Sequence, residues 1–79
     1  MDEAYASGQI ARRLERLRRE NPDAEMVRRE FAVALNKYRE HVLDGWGDET
    51  NGAMIKEYWV AKQALALYAQ EHGISLEVM

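Results

Sequence analysis

The sequence predicts an all-α chain, a three-helix bundle completed by dimerisation, on three observations. Apolar residues recur at helical rather than alternating spacing along the whole length. Strong breakers are few: Pro22, the cluster Gly45, Gly47 and Gly52, and Gly73, with Gly8 a stray. They delimit segments of roughly 2–20, 22–43 and 53–72, each about 27 to 34 Å long as a helix, and such matched lengths suit an up-down-up bundle or a helical hairpin finished by a second chain.

The first segment, Asp2 to Glu20, aligns Ala6, Ile10, Leu14 and Leu17 in one narrow stripe. Gly8 weakens its early turns, because glycine inside a helix costs about 1 kcal/mol relative to alanine. Asn21-Pro22 is both a stop and a start. Proline disfavours helical geometry at the residue before it, and Asn21 is expected to cap a helix that begins at Pro22, with Asp23 and Glu25 favoured by the helix dipole.

The second segment places Ala24, Val27, Phe31, Ala34, Leu35, Tyr38 and Val42 on one broad apolar face, which marks it as a core helix. Met26 and Val33 lie off that face as a small patch of their own, to be covered either by the flank of a neighbouring helix or by another chain. The stretch 44–52 (Asp-Gly-Trp-Gly-Asp-Glu-Thr-Asn-Gly) reads as a Gly-rich loop, with Asp48, Thr50 or Asn51 available to cap the next helix.

The third segment, Ala53 to His72, ends at Gly73, a left-handed C-terminal stop onto which Ile74 can fold back. Met54, Ile55, Tyr58, Trp59, Ala61, Leu65, Ala66, Tyr68 and Ala69 cover about half its circumference, and Val60, Ala64 and Leu67 stand on the other side. A helix in a three-helix monomer is expected to hide one side only, so the surplus points to self-association, with Trp59, Val60 and Leu67 as dimer-interface candidates. The tail from Ile74 to Met79 is short enough to pack as a strap.

Composition sets the remaining limits. Seventy-nine residues support one domain, whose buried apolar area contributes on the order of 125 kcal/mol against roughly 120 for ordering the chain. A second chain would widen that thin margin. The chain has no cysteine, hence no disulfide and no thiolate zinc site, and suits a reducing compartment. It opens Met1-Asp2-Glu3 without a signal-like segment, and its longest uncharged apolar run is Ala64 to Ala69, so a cytoplasmic protein without a membrane span is expected. The net charge of -3 hides an asymmetry, since residues 1–40 carry +1 and residues 41–79 carry -4.

The basic half contains the one notable charge pattern. Arg12, Arg16 and Arg19 share a helical face at i, i+4 and i+7, a ridge that could neutralise several phosphates. Glu15, Glu20 and Glu25 stand four residues from Arg19, Arg16 and Arg29, however, so the same segment reads as a solvated or protein-facing surface laced with weak ion pairs. A helix-turn-helix reading fails on the long connection and on a third helix that offers only Lys56 and Lys62 beside Glu49 and Glu57.

Single residues are ambiguous. Trp46, between two glycines, either anchors in a partner's pocket or folds back as a lid on the core. Asp44, Asp48 and Glu49 do not make a calcium loop, because Trp46 and Glu49 occupy positions where an EF-hand needs a ligand and a glycine. Lys62, amid Tyr58, Trp59, Ala66 and Ala69, is either a desolvated amine able to act as nucleophile or base, or an ammonium snorkelling past Trp59. His41 and His72 lack ligand spacing and read as structural, and no phosphate loop or nucleophile motif is present.

The functional expectation is therefore a non-enzymatic protein-protein interaction module, an adaptor, regulator or inhibitor that occupies a partner surface. A homodimer is expected, with no metal or cofactor. Trp46, Met26, Val33, Arg12, Arg16 and Arg19 are the partner-binding candidates, and nucleic-acid binding through the basic first helix is the alternative.

Overall fold

A computed structural model describes residues 3–44 and 49–76, and three helices account for most of these: α1 (Glu3–Glu20), α2 (Ala24–Asp44) and α3 (Glu49–Glu71). Helix α3 packs against both α1 and α2, whereas α1 and α2 do not pack against each other. The cross-helix contacts set the directions. Arg13 and Arg18 of α1 pair with Glu57 and Glu71 of α3 in the same order along both helices, while Arg28 near the start of α2 reaches Ser75 and His41 near its end reaches Asn51. The order is up-down-up, laid out as a flat layer of 37 × 30 × 16 Å with α3 in the middle.

This placement corrects the expectation that α3 hides a single side. Val60 is 3% exposed and Ala64 is 1% exposed within the single chain, so Val60 is not available as a dimer-interface residue. The physical reason is position: a central helix is covered from two directions, and its apolar surround serves its own neighbours. Leu67, at 41% exposed, is what remains open of that far side, and Trp59 is half-buried.

The connection between α1 and α2 also departs from expectation. Asn21 takes a left-handed φ of 49° and its N–H donates to the Leu17 carbonyl at 2.7 Å, so it closes α1 and does not cap α2. The cap belongs to Asp23, whose Oδ1 accepts from the Met26 N–H at 2.8 Å. Asparagine tolerates the left-handed region better than other side chains with a Cβ, and Pro22 forces the extra residue between stop and start.

At the far end, α3 begins at Glu49, so residues 49–52 of the expected Gly-rich loop are helical, and Thr50 and Asn51 fall within the helix rather than ahead of it. Trp46 and Asp48 lie outside the described residues. The C-terminus matches the sequence reading closely. Gly73 has φ 66°, its N–H donates to the Gln70 carbonyl at 3.4 Å, and the Ile74 N–H donates to the Ala69 carbonyl at 2.8 Å, the paired bonds of a Schellman motif.

The core lies where all three helices meet. Val27, Leu65, Tyr68 and Ala69 form its buried centre, with Leu14 and Leu17 of α1, Phe31 of α2, and Ile74 and Leu76 of the tail packed around them. Tyr68 is 1% exposed, and its hydroxyl donates to Asn21 Oδ1 at 3.0 Å and lies 3.3 Å from the Pro22 carbonyl oxygen. Among the described residues every buried side-chain nitrogen or oxygen has a partner.

Candidate functional site

Because the outer helices do not touch, the surface of α3 between them is left as the floor of a groove of about 450 Å³. Half-buried Tyr58 and Ala61 make the open part of the floor, with the buried Ala64 and Leu65 beneath it, and the small side chain of Ala61 leaves it shallow. Arg13, Arg16, Leu17 and Glu20 form the α1 wall; Arg29, Glu30, Val33 and Ala34 form the α2 wall. The result is a channel with an apolar floor and an ionic rim.

Most rim charges are already compensated. Arg13 Nη2 donates to Glu57 Oε1 at 3.3 Å, Arg16 Nε to Glu20 Oε1 at 2.9 Å, and Arg29 Nη2 to Glu25 Oε1 at 3.3 Å. The last two are i, i+4 pairs legible in the sequence, whereas Glu15 and Arg19 do not pair. Glu30 on the α2 wall, and Arg12 and Arg19 beside the α1 wall, are exposed and have no ion pair among the described residues.

The structure brings together two of the surfaces expected from sequence. Arg16 of the arginine ridge and Val33 of the apolar patch face each other across one groove. Val33 is 53% exposed; Met26 is exposed on the same helix but does not line the groove. Arg12 and Arg19 do not line it either. What sequence reasoning missed is the groove itself, although Ala61 and Ala64 carried a signal: small residues on a helix face mark where something else must fill the space.

The remaining candidates form small structural clusters. Lys62 Nζ lies 5.3 Å from the Tyr38 ring centre and 5.9 Å from that of Trp59, and donates to Gln63 Oε1 at 3.4 Å. Burial pushes its pKa below the ordinary lysine value. His41 stacks on Tyr58 with ring centres 5.6 Å apart, its Nδ1–H donates to Asn51 Oδ1, and Asn51 Nδ2 donates back to the His41 carbonyl at 2.8 Å. His72 packs on Tyr68 with centres 4.2 Å apart.

Two ion pairs between helices had no sequence signal, since partners so far apart in the chain obey no local spacing. One is Arg13–Glu57, and the other is Arg18–Glu71, in which Arg18 Nε donates to Glu71 Oε1 at 3.1 Å. The guanidinium hydrogen bond holds the Glu71 carboxyl below the usual carboxylate range.

Among the described residues no three His, Asp or Glu side chains converge on a point that could hold a metal ion, and no helix is long and apolar enough to cross a membrane. In comparison with known proteins, no family model, no curated protein and no solved structure matches the chain.

Proposed function

We propose that the chain is a non-enzymatic protein-protein interaction module, an adaptor, regulator or inhibitor that works by docking a partner's helical surface against the α1–α2 groove. The groove carries this reading: a floor left open between the outer helices and an ionic rim able to set a partner's orientation. Arg16 and Val33, on opposite walls, are the residues on which it depends. Met26 extends the α2 side of the same surface, and the proposal assigns no role to Trp46.

The test is photo-cross-linking from position 33 in source cells, followed by affinity measurement with the purified partner. Val33→Glu and Arg16→Glu are each expected to weaken binding about tenfold or more. An unchanged affinity in both variants would discard the reading.

A second reading has one observation in its favour, the lack of ion pairs at exposed Arg12 and Arg19 among the described residues. On that reading the ridge contacts phosphates, and affinity for DNA or RNA falls steeply with salt. Titration with both nucleic acids at about 50 mM salt separates the two, because a phosphate-binding ridge saturates there while a protein-docking groove gives no signal.

A further inference from the structure

We infer that the groove's occupant is a second copy of this chain, with α2 of each copy lying in the groove of the other about a two-fold axis. The inference rests on the groove being a protein-docking surface and names what fills it.

Surface area points to it first. The chain exposes 5671 Å², against roughly 4,900 Å² for a compact monomer of this length. The surplus, on the order of 750 Å², approaches the area of about 800 Å² that one partner contributes to an interface of standard size. The radius of gyration agrees, at 12.8 Å against roughly 11.6 Å expected. A layer whose outer helices do not meet leaves surface of this kind open between them.

Shape points the same way. Helix α2 is a wall of the groove and also bears an exposed apolar ridge, Met26 and Val33, two turns apart on one stripe. Such a ridge fits the shallow stretch of floor at Ala61. Under two-fold symmetry the wall of one copy becomes the insert of the other, so one surface serves both roles and the contact closes on itself.

Charge completes the match. Glu30, near Val33 and without an ion pair among the described residues, would meet the α1 arginines of the second copy, where Arg12 and Arg19 are in the same condition and flank Arg16. The pairing is made twice per dimer, and a foreign helix would have to supply the same acidic position.

Sedimentation equilibrium on the full chain at micromolar concentrations tests the proposal. A dimer is expected. Val33→Glu, which alters an exposed position and leaves helicity by circular dichroism unchanged, is expected to weaken it about 100-fold. Arg19→Glu and Glu30→Lys are each expected to weaken it about tenfold, and their combination to restore it. Leu67→Glu, on the other side of α3, should leave it intact. A monomer at every concentration overturns the proposal, as does a dimer indifferent to Val33→Glu or lost in Leu67→Glu. If a monomeric chain still binds a purified partner through Val33, self-pairing alone has failed and the docking reading stands. A Val33-dependent dimer that the partner neither displaces nor contacts through Val33 does the opposite: self-pairing stands and the docking of a foreign partner fails.

Discussion

At the scale of single residues, Tyr68 ties the core to the turn between the first two helices. It sits on α3, is buried among residues of all three helices, and its hydroxyl holds the Asn21-Pro22 turn where α1 gives way to α2. Removing the hydroxyl leaves the ring's packing intact but takes away the hydrogen bond that ties the exposed Asn21 to the core. Tyr68→Phe is therefore expected to cost about 1 kcal/mol, read as a lower denaturation midpoint with an unchanged slope. Sequence could show that Tyr68 lies on an apolar face. It could not show that its oxygen meets a turn 47 residues away, because such pairing is decided by how the helices are laid together.

Helix ends were legible to different degrees, for local reasons. Gly73 was readable because a left-handed stop is a property of one residue and its immediate neighbours, and here the Schellman bonds are made. No atom lies within 4 Å of a Cβ built at Gly73, so Gly73→Ala meets no clash and isolates the conformational cost of φ 66°. That cost is expected to be about 1 kcal/mol, visible in thermal unfolding. The stop of α1 at Glu20 is legible at Asn21-Pro22, whereas α2 opens at Ala24, two residues later than Pro22, behind an Asp23 cap. Two side chains, Asn21 and Asp23, can both cap, and the choice fell to Asp23 once Asn21 adopted positive φ and bonded Tyr68. The start of α3 at Glu49 overrode a glycine and two turn-forming residues, with Asn51 drawn into hydrogen bonds with His41 of α2.

For the whole molecule, stability against pH has two limbs with assigned sources. The folded-state pKa of Glu71 is depressed, first by the hydrogen bond from Arg18, so its contribution is present above the ordinary carboxylate pKa and is lost as pH falls through the folded value. Lys62 acts on the alkaline side. Its folded pKa lies below the ordinary 10.5 because of burial, so the folded chain holds that proton less tightly than the unfolded chain. Its contribution is unfavourable below the folded value, and stability rises with pH between that value and 10.5. Chemical denaturation as a function of pH should show Glu71→Gln flattening the acid limb and Lys62→Met removing the alkaline rise. The Met variant should be no less stable than the parent at neutral pH, since the cost of partly burying the ammonium is removed.

Helix number, helical periodicity, the left-handed stop and the i, i+4 pairs at Arg16 and Arg29 are properties of neighbouring residues, and the amino-acid order determined them unaided. Which helix became the centre was decided by tertiary packing. With α3 between α1 and α2, the apolar residues that argued for a partner, Val60 and Ala64, are satisfied within the chain. The unfilled space moved to the channel that two non-touching helices leave above Tyr58 and Ala61. Hydrophobic burial is indifferent to where its partner surface comes from, so a sequence can state how much apolar surface must be covered while the fold alone assigns what covers it.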